Sequence, residues 1–279
     1  MRIVPKPLLL VDVVYDACVS GIGNADKKNR FNNYKNNILA SAIDYEIKAN
    51  SSDLYQIMPF GSVASVPLVT QQELKKLYEG QMVAKGRPGR NFYDELRQGS
   101  KMCPFCGISP TRTLEHYLPK AHYPDLSVVP LNLIPCCRDC NTEKHDAKTE
   151  TIDKQNIHPY FDDFTQEQWL FADIIYDGGP VAIFRVTPPV AWNIKSKYKV
   201  SIHLTTYDLD ERFGDLASEE ITGIKKTMTE LLSSSNSNIV REHLLDTANS
   251  RAEIHLNSWQ VALYQALANS PLYCSGNFG

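Results

Sequence analysis

Apolar residues recur along this chain at helical intervals over most of its length and alternate only in short runs. Over 30–48, Phe31, Tyr34, Ile38, Ala42, Ile43 and Ile47 return every three or four positions, which predicts an amphipathic helix. Thr70 with Glu73 three positions on has the form of a capping box and predicts a helix over 70–78. Asn91 would cap another over 92–98. Further helices are expected over 165–170, 194–203, 215–233, 239–248 and 250–268, followed by a loose tail over 269–279. The β-rich runs 172–176 and 181–186 flank Asp177-Gly178-Gly179-Pro180, a turn signal, and predict a hairpin. Residues 8–14 read as a buried strand or an early helix, and Gly21-Ile22-Gly23-Asn24 as a turn. The basic, flexible run Lys85-Gly86-Arg87-Pro88-Gly89-Arg90 reads as a linker or a phosphate-contacting loop.

Composition adds limits. A chain of 279 residues with 43% hydrophobic and 22% charged residues is ordinary for a soluble protein with a sizeable core. A net charge of −3 argues against tight, unspecific nucleic-acid binding by the whole surface, leaving room for a local basic groove or a partner that supplies one. No apolar run approaches the length of a membrane span, and no signal-peptide pattern is present, so a cytoplasmic protein is expected.

Seven cysteines change the picture. Cys103-x-x-Cys106 and Cys137-x-x-Cys140 form two pairs of the kind that bring two thiolates to one ion, and together they can complete a tetrahedral sulfur site for Zn²⁺. Four cysteines leave such an ion no open position, so this zinc would be structural. Cys136 makes the register ambiguous; Cys137 is preferred because it keeps the two-residue spacing to Cys140. The leftover Cys18, Cys136 and Cys274 fit a reducing compartment better than disulfides.

Between and beside the pairs lie Glu115-His116, Asn132 and Asn141. Hydrolysis of a phosphodiester requires a base to activate water and a divalent cation to take up charge on the phosphate. His116 can be that base. Glu115 offers a hard oxygen ligand suited to Mg²⁺ or Mn²⁺. Asn132 is expected to orient the His116 ring through Nδ1, leaving Nε2 to accept a proton. Asn141 would open a helix over 141–147 and offer a second oxygen, with His145 one turn on as a further candidate. Lys120, Arg138 and Lys144 are candidate phosphate contacts. His158 and Asp162, in the run Ile157-His158-Pro159-Tyr160-Phe161-Asp162, are either packing residues or auxiliary metal or substrate contacts.

These residues also carry a resemblance. Cys103-x-x-Cys106, Glu115-His116 with Pro119, Asn132-Leu133, and Cys137-x-x-Cys140-Asn141 with Lys144 resemble the HNH endonucleases, whose core is a ββα-metal (His-Me) finger. The resemblance spans 103–145. It implies His116 as general base, Glu115 and Asn141 as metal ligands and Asn132 as the residue that orients the base. Glu stands where Asp or His is more usual, and Asn stands in the third lettered position. The flanks look like those of bacterial HNH proteins, some of which serve in phage defence.

The expected architecture is α+β: a zinc-stapled ββα-metal finger embedded in a mostly helical chain. Its strands are expected at 111–117 and 127–133. Residues 1–100 would form a mostly helical region, 101–163 the nuclease module, and 164–279 a hairpin plus helices. The expected activity is metal-dependent cleavage of DNA, with structural Zn²⁺ and catalytic Mg²⁺ or Mn²⁺. A regulatory or targeting subunit, or self-association, would supply control. The rival readings are a non-catalytic zinc module that docks nucleic acid or protein, and a nuclease directed at RNA.

Overall fold

The computed structural model describes residues 1–62, 68–144 and 150–279. It is a mixed α+β chain with two small antiparallel sheets among its described residues. The chain divides into two compact units, one of Ile3–Asp162 and one of Met1–Arg2 with Asp163–Gly279. Residues 3–100 and 101–162 thus lie within one unit.

In the first unit, α1 (Val11–Ser20) packs against α2 (Ala25–Asn50), whose N-terminus is capped by the side chain of Asn24 accepting from Lys27 N. The early-helix reading of 8–14 holds only from Val11 onward, and Leu8 is 96% exposed. The buried stripe of α2 is Phe31, Tyr34, Ile38, Ala42, Tyr45 and Ala49. It keeps the three- and four-residue rhythm to the end of the helix, so Ile43 and Ile47 fall off the stripe and are exposed. Thr70 and Glu73 form the capping box of α3 (Gln71–Leu77). The helix then widens into a π-turn, Tyr78–Val83, before α4 (Arg90–Gln98). Gly89 passes so close to this turn that a Cβ there would stand 2.7 Å from the Gln81 carbonyl oxygen. Arg90 does not reach outward from its loop. Its guanidinium is bound to Asp94 and to the Val83 carbonyl.

The ββα finger follows. β1 (Thr113–His116) pairs antiparallel with β2 (Leu133–Cys136), Glu115 opposite Ile134 and His116 opposite Leu133. The second strand therefore begins where 127–133 was expected to end. Residues ahead of it instead form two single turns of 3₁₀ helix, Pro124–Leu126 and Pro130–Asn132. Each turn starts on a proline, whose fixed φ and missing N–H suit a helical first position and not a ladder. The helix α5 (Arg138–Glu143) starts three residues before Asn141, and its N-cap is Cys137. The expected continuation through 145–147 lies outside the described residues.

In the second unit, β3 (Leu170–Tyr176) and β4 (Pro180–Val186) form the expected hairpin, closed by Gly178 at φ +71°. The sheet packs on α7 (Leu209–Ser234) and α9 (Trp259–Ala268), with α6 (Ile194–Thr206), α8 (Ser237–His255) and α10 (Pro271–Cys274) completing the unit. Three expectations change here. Residues 165–169 are not helical. The helix expected over 250–268 is broken between His255 and Trp259. One buried residue, Asn257, accounts for both: its Oδ1 accepts from Trp169 N and Leu170 N, and its Nδ2 donates to the Phe164 and Glu167 carbonyls. The tail is also anchored. Tyr273 and Phe278 are buried, with ring centroids 5.1 Å apart.

Candidate functional site

The finger is tied at its base by sulfur. The Sγ atoms of Cys103, Cys106, Cys137 and Cys140 all lie within 4.8 Å of one another and are buried. Cys106 Sγ and Cys137 Sγ are 3.8 Å apart, matching the ~3.8 Å edge of a tetrahedron with ~2.3 Å zinc–sulfur bonds. Local backbone builds the two turns. Gly107 N donates to the Cys103 carbonyl with Gly107 at φ +73°, a left-handed conformation that favours glycine. Cys140 N donates to Cys137 Sγ at 3.4 Å. Hydrogen bonding from Cys103 holds the Cys106 and Cys137 thiols below the ordinary range. The group could hold zinc. Cys136 is buried outside it, at the end of β2.

A cleft of about 710 Å³ opens beside the finger, and Glu115, His116, Lys120 and Asn141 all line it. Adjacent residues of a strand point to opposite faces, but β1 ends at His116 and the chain turns there. The turn is held by Tyr117 N donating to the Asn132 carbonyl and by His122 N donating to Pro119 O.

His116 is buried, and its Nε2 lies 2.9 Å from the Ser127 carbonyl oxygen. A carbonyl only accepts, so Nε2 carries the proton and Nδ1 is the basic nitrogen. This reverses the expected assignment. Burial lowers the pKa of His116 to about 3, so the imidazole is neutral at ordinary pH.

Asn132 does not touch the ring. Its Oδ1 accepts from Leu118 N at 2.7 Å, and its Nδ2 donates to Leu118 O at 3.0 Å and Leu126 O at 3.2 Å. It clamps the loop between the strands, and the carbonyl that orients His116 belongs to the residue after Leu126. Its influence on the base therefore passes through the backbone.

Glu115 is buried with its Oε1 2.8 Å from Lys144 Nζ, which also donates to the His116 carbonyl. Lys144 is only 4% exposed, so it is a brace for Glu115 and not an outward phosphate contact. The Asn141 amide sits 3.0 Å from Glu115 Oε2 and 3.2 Å from the Leu114 carbonyl, donating to both when Nδ2 faces them. Turned about, it would present Oδ1 beside the carboxylate. A carboxylate and an amide are hard oxygen donors of the kind that Mg²⁺ and Mn²⁺ take.

The remaining candidates separate. Lys120 lines the cleft and pairs with Glu79 at 3.2 Å. Arg138 is exposed on α5 and is not among the cleft residues. His145 lies outside the described residues. His158 is buried away from the cleft: Tyr45 Oη is 2.8 Å from its Nε2, Tyr160 N donates to its Nδ1, and its ring stacks on Tyr117. Asp162 accepts from the backbone of His158. Both serve packing.

Sequence reasoning missed Tyr78, Glu79, Val83 and Tyr93, which also line the cleft. Tyr78 meets the His116 ring edge-on, centroids 4.5 Å apart. The only hint in the sequence is an aromatic followed by Gly80 at the end of an expected helix.

An α+β chain with a buried four-cysteine group below a polar cleft is thus the class that the coordinates define. Comparison with known proteins gives the kinship. The chain belongs to the family of Protein ea31 of Escherichia phage lambda, to which it is 32% identical over 297 residues, covering 99% of this chain and 100% of that one. Over 64 residues it is also 39% identical to the Septu protein PtuB of Bacillus thuringiensis, 20% of this chain and 25% of that protein. No family model and no solved structure matches. No helix among the described residues is long and apolar enough to cross a membrane.

Proposed function

We propose that the chain is a metal-dependent endonuclease of the HNH, ββα-metal kind that hydrolyses phosphodiester bonds in DNA. One observation carries this reading: a neutral imidazole, a buried carboxylate and an amide converge on one cleft above a zinc-compatible cysteine group. His116 Nδ1, its tautomer fixed by the Ser127 carbonyl, takes a proton from water. Glu115 and Asn141 would hold a Mg²⁺ or Mn²⁺ ion, which when bound neutralises charge on the phosphate and the leaving oxygen. Lys144 keeps Glu115 in place, and Lys120 faces the incoming backbone. Zinc at the four cysteines would be structural. Kinship with a phage lambda protein and with part of a Septu protein supports a setting between phage and bacterial host, with a partner protein as the source of control.

The test is nicking of supercoiled plasmid by the purified, zinc-loaded chain with Mg²⁺ or Mn²⁺. We expect His116→Ala to lower the rate at least about 100-fold with zinc content and circular dichroism unchanged. A parent chain that cuts neither DNA nor RNA with any divalent ion overturns the reading, and cleavage of RNA alone moves the substrate.

A further inference from the structure

We propose that Tyr78 is a positioning residue for His116, and that the π-turn carrying it is a working wall of the site. The inference rests on the nuclease reading, because it assigns Tyr78 a part in the same reaction. A hydrogen bond from Nε2 to Ser127 fixes one atom of the imidazole but leaves the ring plane free to tilt. The Tyr78 ring closes that freedom: it meets the imidazole at 72° with centroids 4.5 Å apart, an edge-to-face contact. Tyr78 is itself held, being 6% exposed within a turn over which Gly89 crosses at contact distance.

The same turn reaches the second polar group of the cleft. Lys120 Nζ lies 5.7 Å from the Tyr78 ring centroid, and its ammonium is paired with Glu79, the next residue. Two consecutive residues line one cleft here, where the π-turn interrupts the α-helical register. One short segment, nearly forty residues before His116 in the chain, therefore sets the plane of the base and the place of the cation. The N-terminal helices are then part of the active site.

Tyr78→Leu keeps an apolar side chain and removes the ring, and Tyr78→Phe keeps the ring and removes the hydroxyl. In the full-length, zinc-loaded chain we expect Tyr78→Leu to lower kcat for plasmid nicking about 10- to 100-fold with KM within about threefold, since small misplacements of a reacting group cost that much. Tyr78→Phe should stay within about threefold of the parent. The imidazole Nε2–H proton, observed by NMR, should be slowly exchanging in the parent and in Tyr78→Phe and exchange-broadened in Tyr78→Leu. A Tyr78→Leu chain with parental kcat and a parental N–H signal overturns the proposal, as does a Tyr78→Phe chain as slow as Tyr78→Leu. If the leucine variant fails to fold or to retain zinc, Tyr78→Met replaces it under the same criteria. If the parent cuts no nucleic acid, the nuclease reading fails by itself, and the N–H signal still decides whether Tyr78 fixes the ring.

Discussion

Each of the two units carries a two-stranded antiparallel sheet, and the two sheets are held by different forces. The hairpin of β3 and β4 runs seven residues a side and alternates. Leu170, Ala172, Ala182 and Phe184 are buried against helices, while Asp173, Ile175, Val181, Ile183 and Arg185 face outward. The ladder of β1 and β2 is four residues a side and scarcely alternates: seven of its eight residues are buried, Glu115 and His116 among them. A hairpin of that length is marginal alone, and burying a carboxylate and an imidazole makes it more so. The finger instead gathers a buried four-cysteine group that could hold zinc, together with buried hydrogen bonds from Asn132 and Lys144. Apolar patterning makes a sheet that tolerates change, whereas buried polar bonds, and zinc where the cysteines hold it, make one that fixes side-chain geometry and fails abruptly.

The sharpest way to break the comparison is to remove the sulfur cross-link. Cys106→Ser, or chelation of the parent, should unfold the finger, because structural zinc sites contribute roughly 10 kcal/mol or more to folding. The hairpin unit, whose core includes Trp169, Phe213 and Leu263, should keep its helices. Hydrogen exchange read by mass spectrometry separates the outcomes: protection should vanish over β1, β2 and α5 and persist over β3, β4 and α9. Simultaneous loss over both sheets would show that the cysteine group does not stabilise the finger selectively.

The next effect is smaller and more informative. Asn132→Ala removes three buried hydrogen bonds and takes away the partner of the Leu118 N–H and of the Leu118 carbonyl, while the Leu126 carbonyl keeps Val129 N. Unsatisfied buried groups cost about 1–3 kcal/mol each and do not add fully, so a loss of about 3 kcal/mol is expected in urea denaturation of the finger. Because the loop carries the Ser127 carbonyl, the proposed cleavage should fall in the fraction that remains folded. Full activity in that fraction would mean that the loop does not orient His116.

The same contrast explains what could be read in the sequence. The hairpin was legible because period-two patterning and a Gly-Gly-Pro turn are local signals. The cysteine group was legible through its spacing. The fold class followed from the two together with the helical periodicities. The second finger strand was misplaced because 127–133 is apolar enough for a strand, while Pro130 sets a 3₁₀ turn within it and Pro124 another just before it. Asn132 was assigned to the ring because a sequence supplies residue types and not the partners of each bond. Tyr78 and Glu79 went unread because an aromatic near Gly80 does not by itself mark a π-turn that will face a histidine far along the chain. Asn257 was missed for the same reason, since all four of its partners lie between Phe164 and Leu170.

The smallest effect sharpens the comparison from the hairpin side. Asp173 and Arg185 form an ion pair across the outer face, and Arg185 holds the Asp173 carboxyl below its usual range. Both side chains are about half exposed, at 56% and 48%, so solvent and salt screen the interaction. Asp173→Ala should therefore destabilise the second unit by no more than about 0.5 kcal/mol, and by less at 1 M salt, in thermal melts followed by circular dichroism. The buried pair Glu115–Lys144 has the same charges in a setting with 10% and 3% side-chain exposure, where removing one partner leaves the other's charge uncompensated. A loss above about 2 kcal/mol from Asp173→Ala would mean that the hairpin too depends on specific polar contacts, and the distinction between the two sheets would collapse.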